Sequence, residues 1–180
     1  MECSSFLNNC TSCPKLPVFL KHLPKFQKTK ITRLFEAINN KGSHCKVITP
    51  SKWLFENVLD TGLIEREKLF FIPNFLGEEF SIGHVRTLAH TEAPVIIGFA
   101  SVSNSYIKGF DLVEKLQFFV KEQNLNIRFL QMNECPDVSI FWDSIDILFV
   151  PSRLDNSPNV IHEAKVRGMP VVASAVGGIP

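Results

Sequence analysis

Apolar positions in the first part of this chain change spacing several times, and each change marks an element. Ile31, Leu34, Phe35 and Ile38 recur three and four residues apart, the spacing of one helix face, so residues 30–40 predict a helix that Gly42 stops. Residues 45–49 read as a short strand. Helical spacing returns with Trp53, Leu54, Val58 and Leu59; Ser51 is the expected N-cap, and Gly62 ends the helix just past Thr61. A second apolar run, residues 69–72, predicts another strand, closed by Pro73-Asn74.

The polar, Gly-containing run over residues 77–93 is the best linker candidate, dividing a first domain, 1–76, from a second, 94–180. Beyond it the chain alternates: strand 95–100, helix 110–123, strand 127–131, helix 138–144, strand 147–150, helix 159–167, strand 171–174. Strands this short and continuously apolar predict burial on both faces, and alternation with helices predicts an α/β fold whose parallel sheet is covered on both sides. Such sheets bind ligands beyond the carboxyl ends of their strands. Residues 101–109, 151–158 and 175–180 therefore share one rim.

Composition adds limits rather than a function. With 45% hydrophobic and 21% charged residues the chain is ordinary for a globular protein, and sixteen Phe against one Tyr read as core material. The net charge of +1 conceals halves of +5 (residues 1–76) and −4 (residues 77–180). Lys15, Lys21, Lys25, Lys28, Lys30 and Arg33 are spread out, which suits a solvated face better than a site for anionic lipid, a phosphorylated acceptor or nucleic acid. Residues 15–46 also show no known spacing of a nucleic-acid module. There is no apolar run of the roughly 18 residues a membrane span needs and no visible signal peptide, so the expected location is cytoplasmic and the five cysteines are expected as thiols or metal ligands. Cys3, Cys10 and Cys13 would need a fourth ligand such as His22 to hold zinc. His44, His84, His90 and His162 show no ligand spacing.

The rim carries the candidate chemistry. In Asp155-Asn156-Ser157-Pro158-Asn159-Val160, Ser157 is expected to cap the next helix, with Pro158 at its first position. The free amides and positive dipole end of that helix suit a phosphate, although a well-capped helix with no ligand explains the same residues. Glu163 lies one turn after Asn159 and one before Arg167, spacing that also suits a surface ion pair. Asp155 and Glu163 would repel an anion at this helix end unless each held a hydroxyl-bearing group. A sugar nucleotide has that arrangement: ribose, diphosphate, hexose.

The run Pro151-Ser152-Arg153-Leu154-Asp155-Asn156-Ser157-Pro158-Asn159-Val160-Ile161-His162-Glu163-Ala164, with Gly168-Met169-Pro170-Val171-Val172-Ala173-Ser174 and Gly177-Gly178-Ile179-Pro180, resembles the family 4 retaining glycosyltransferases of GT-B type. That family's signature is two acidic residues separated by seven; Asp155 stands in the first place, usually Glu, and Glu163 in the second. The resemblance implies that Glu163 holds the donor ribose, that Asp155, Asn156 and Ser157 contact the transferred sugar, and that amides near Asn159 and Val160 face the diphosphate. Ile97-Gly98-Phe99-Ala100 and the later Lys108-Gly109-Phe110-Asp111 resemble the family's phosphate-binding strand, loop and Lys-Gly pair. Lys108 would then neutralise the leaving diphosphate, with Gly109 beside it. Many members carry an Arg early in this loop, where this chain reads Ala100-Ser101-Val102-Ser103.

Val47-Ile48-Thr49-Pro50-Ser51-Lys52-Trp53-Leu54 and Ile72-Pro73-Asn74-Phe75 resemble the close of the family's first domain, and Cys3, Cys10 and Cys13-Pro14 a cluster in a bacterial polysaccharide-synthesis branch. The implied fold is the end of an N-terminal Rossmann-like domain plus part of a C-terminal donor-binding one, with family sequence expected before Met1 and after Pro180. The stretch between Gln131 and Phe141 is short beside many members, which implies a smaller sheet with a less protected edge. The implied reaction moves a sugar from a nucleoside diphosphate to a carbohydrate or lipid-linked hydroxyl with retention, with no cofactor or metal required and no nucleic-acid partner. Peripheral contact with the inner face of a membrane belongs to the same expectation. The alternative is a non-catalytic remnant or one piece of a split transferase.

Overall fold

The computed structural model describes residues 33–77, 92–101 and 105–180, which fall into two compact units divided between Pro73 and Asn74. The cysteine cluster, His22, His84, His90 and most of residues 77–93 lie outside the described residues.

The first unit is a short β–α–β arrangement preceded by a helix, α1, described over residues 33–39. Strands β1 (Val47–Thr49) and β2 (Leu69–Phe71) pair in parallel, Val47 opposite Leu69, and α2 (Lys52–Asp60) connects them. Ser51 caps α2 as expected, its hydroxyl accepting from Leu54 N at 3.1 Å, and Gly62 ends the turn with φ +63°. Lys68, buried, donates its ammonium to the carbonyls of Ile38 and Asn40, satisfying acceptors that the end of α1 leaves over. The expectation that Phe serves as core material holds only in part. Phe99 and Phe141 are buried in the second unit, but Phe70, Phe71 and Phe75 are exposed, and Phe118 and Phe119 lie on the outer side of a helix. A two-stranded sheet with one covering helix has too little area to bury both faces.

The second unit alternates strand and helix: β3 (Val95–Phe99), α3 (Phe110–Glu122), β4 (Ile127–Gln131), a 3-10 turn at Met132–Glu134, α4 (Val138–Ser144), β5 (Ile147–Val150), α5 (Asn159–Val166) and β6 (Val171–Ala173). All pairings are parallel in the order β4-β3-β5-β6. The chain therefore builds outward from β3 in one direction, then returns to β3's other side with β5. The point of reversal lies between β3 and β5, and there a parallel sheet opens a crevice at its carboxyl ends.

The core forms around Phe141, Trp142, Ile145, Leu148, Val150, Ile161 and Ala164. Gly98 allows β3 to lie against it, because a Cβ there would stand 2.5 Å from Ile145 and 2.9 Å from Phe141. Burial on both faces is not uniform across the sheet: Val172 on β6 is 56% exposed and Arg128 on β4 is exposed. Both strands are edges, whereas β3 and β5 are central. Among the described residues no helix is long and apolar enough to cross a membrane.

Candidate functional site

Two loops flank the crevice between β3 and β5. After β3, Ala100 and Ser101 lead to a turn at residues 105–109, where Lys108 N donates to Ser105 O (3.1 Å) and Gly109 N to Tyr106 O (3.1 Å). Gly109 precedes α3 with φ +79°, and a Cβ on it would lie 2.0 Å from the carbonyl oxygen of Pro151. Both its left-handed backbone and that close approach require glycine. After β5, Pro151 and Ser152 are buried and the chain turns at Asp155. Gly177 seals this turn from the other side, with φ +57° and an ideal Cβ 1.9 Å from Asp155 O, while Gly178 N donates to that same oxygen at 3.0 Å.

These constraints bring together Lys108 and Asp155, the two residues expected at the diphosphate and the transferred sugar. Lys108 Nζ lies 2.7 Å from Asp155 Oδ2, an ion pair in which Asp155 is the more buried partner. The same carboxylate accepts from Ser152 Oγ at 3.2 Å and from Asn156 N at 3.0 Å. Asp155 thus accepts from three donors carried by two loops.

Helix α5 starts at Asn159, and its N-cap is Pro158, with no side-chain cap bond. The expectation that Ser157 caps the helix is corrected on this point. The helix begins one residue later than that expectation needs, and Ile161 N is satisfied by Pro158 O at 3.1 Å. Asn74 holds this end of the helix instead: its side-chain amide donates to Ser157 O (3.2 Å) and Asn159 Oδ1 (2.7 Å). The amides of Asn159 and Val160, in the first turn, have no acceptor within the helix.

A cavity of about 140 Å³ lies in the crevice, with Ser101, Lys108, Ser152, Asp155, Asn159 and Val160 on its wall. Gly109, Asn156, Ser157 and Glu163 do not line it. Glu163 sits one turn further along α5, half-buried, and burial raises its carboxyl pKa above the ordinary 4.5 against the opposing charge of Arg167. The indole N–H of Trp142 also favours the ionised form but, buried, does not close to a full hydrogen bond. Arg167 reaches Glu163 through its main-chain carbonyl, at 3.3 Å, and stacks over the Trp142 ring at 5.0 Å. Glu163, Arg167 and Trp142 thus form a three-residue cluster, in which Arg167 contacts the Glu163 main chain and the indole face.

A family model described as glycosyl transferases group 1 matches residues 86–180, more than half of the chain. The chain belongs to this family. As a group 1 glycosyl transferase it has the α/β fold with a parallel sheet of a GT-B-like Rossmann domain, and the activity of the class is transfer of a sugar moiety. The match covers Lys108 to Glu163 and the loops that frame the crevice; it begins after residues 47–54 and 72–75, whose likeness to the family rests on the sequence alone. No curated protein matches the chain.

Sequence reasoning missed the link between the loops. Arg153 donates to Asp111 through both ends of its guanidinium, at 2.6 and 2.8 Å. The two residues lie 42 positions apart, and only the Arg-carboxylate chemistry could have suggested the pair. Among the described residues no cluster of His, Cys, Asp and Glu could hold a metal, and Cys45 and Cys135 are free thiols.

Proposed function

We propose that the crevice between β3 and β5 binds the diphosphate and sugar of a nucleoside diphosphate sugar, and that the sugar passes to a hydroxyl acceptor with its anomeric configuration retained. The observation that carries this reading is the placing of Lys108 and the first turn of α5 on one small cavity at the point where strand order reverses. A cation and free amides are what a diphosphate needs, and the family is one of sugar transfer. The cavity is smaller than the roughly 300–1,000 Å³ of whole-ligand pockets, so it suits a phosphoryl group or sugar ring while the nucleoside lies outside it.

In this reading Glu163, a turn beyond the cavity, accepts from the ribose hydroxyls. Asp155, with Asn156 and Ser157 beside it, faces the sugar. Lys108 and the amides of Asn159 and Val160 stabilise charge that builds on the diphosphate as the glycosidic bond breaks, which is electrostatic catalysis. Gly109 holds Lys108's loop against Pro151. A carbohydrate or lipid-linked acceptor, use in polysaccharide or glycoconjugate synthesis, and work in the cytoplasm at a membrane surface belong to the same proposal.

Saturation-transfer NMR against a panel of sugar nucleotides tests it. Transfer to ribose and hexose protons of at least one donor is the expected result. Silence from all of them on a folded sample would contradict it and favour a non-catalytic remnant.

A further inference from the structure

The loop that carries Lys108 and the loop that carries Asp155 are joined by a second side chain besides the Lys108–Asp155 pair. Arg153 donates to both carboxylate oxygens of Asp111, at 2.6 and 2.8 Å, and to the carbonyl of Tyr106 at 2.8 Å. Its guanidinium carbon lies 3.9 Å from the centre of the Tyr106 ring, and its main-chain N–H donates to Ile107 O at 2.7 Å. Asp111 is in the first turn of α3, while Tyr106 and Ile107 immediately precede Lys108. Arg153 therefore grips the 105–109 turn at its backbone, at a ring and at the helix that follows. Its side chain is 30% exposed, and Arg153 does not line the cavity, so it does not touch the proposed ligand.

We propose that Arg153 is a positioning residue: by clamping the 105–109 turn to the β5–α5 loop it sets where the Lys108 ammonium stands at the cavity. This rests on the donor-site reading above. The physical case is one of entropy. Lys108 has a flexible stem, and the hydrogen bonds described within the turn beneath it are local, between residues two to five apart. A planar, bidentate and stacked Arg removes that freedom before a ligand arrives, which a Lys in its place could not do, because a point charge on a flexible chain supplies neither the fork nor the flat face. Asp155 fixes the tip of Lys108 and Arg153 fixes its base.

Two measurements on the full chain test this. Hydrogen exchange without ligand compares wild type with Arg153→Ala, Arg153→Lys and Asp111→Asn. Exchange at the Lys108 and Gly109 amides is expected to rise about tenfold in Arg153→Ala and nearly as much in Arg153→Lys, with β3 and β5 amides unchanged. Unchanged exchange at Lys108 and Gly109 would overturn the proposal whether or not the protein binds nucleotides. The second is a double-mutant cycle on the affinity for UDP, GDP or ADP. Arg153→Ala is expected to weaken binding about tenfold in the wild-type background and hardly at all in a Lys108→Ala background, because it acts through Lys108. Additive losses would show that Arg153 acts by another route. Should wild type bind none of these nucleotides, the donor-site reading fails by itself, and the exchange result still decides whether Arg153 orders the turn.

Discussion

Lys108 and Asp155 neutralise one another across 47 positions of sequence, so an incoming diphosphate meets an ammonium that already has a partner. On the proposed reading Lys108 is shared between Asp155 and the ligand, and the two acidic residues of the site respond differently to substitution. Asp155→Asn removes a negative charge beside the diphosphate; calorimetry is expected to find nucleoside diphosphate affinity kept or raised while sugar transfer falls. Glu163 has the opposite balance. Its folded pKa is raised above 4.5, chiefly by burial, so its carboxyl favours the fold most below that value and loses this contribution as pH rises through the raised pKa. Glu163→Gln is therefore expected to melt higher than wild type at pH 7, by a margin that shrinks toward pH 4, while binding nucleotide more weakly. A Glu163→Gln variant that melted lower at pH 7 would contradict the burial account. Neither behaviour was legible in the sequence, where both residues look like ordinary carboxylates near a helix end.

Among the elements, the loops depend on glycines with little freedom to change. Gly109→Ala would place a Cβ against the Pro151 carbonyl in a left-handed backbone, and the backbone conformation alone costs about 1–3 kcal/mol. Thermal melting is expected to show that loss, with weaker nucleotide binding in the fraction that folds. The clamp at Arg153 adds a pH dependence. Asp111's pKa is lowered, first by the Arg153 hydrogen bonds, so its contribution is present above its ordinary 3.8 and is lost as pH falls below that toward the lowered value. Lower protection of the Lys108 and Gly109 amides, relative to their intrinsic exchange rates at the same pH, is expected in that acid range. Most element boundaries could be read from short apolar runs bounded by Gly, Pro and Ser, and β4, α4 and β5 fall on residues 127–131, 138–144 and 147–150 as expected. The start of α5 at Asn159 could be read as well, but not its cap, because Ser157 and Pro158 are both good residues for a helix start, and Asn74, remote in sequence, holds that end.

For the molecule as a whole, the pattern of strands and helices indicated a parallel sheet but not its order, since parallel pairing is decided by contacts far apart in sequence. The order β4-β3-β5-β6 supplies what the rim alone did not: which two of its three loops face each other across a crevice. It also explains why burial is concentrated on β3 and β5, and why the core of this unit rests on Phe141, which is fully buried. Phe141→Ala is expected to cost about 3–5 kcal/mol, measured by denaturant unfolding. A loss below about 1 kcal/mol would mean that the core is not organised as described. On the proposed reading the crevice at the strand-order reversal grips a nucleoside diphosphate through Lys108 and the start of α5. Isothermal titration of UDP, GDP and ADP into wild type, Lys108→Ala and Glu163→Ala measures that grip. Wild type is expected to bind at least one nucleotide, with a loss of roughly tenfold or more in each variant, the scale of a hydrogen bond to a charged group; unchanged affinity in both variants would contradict this.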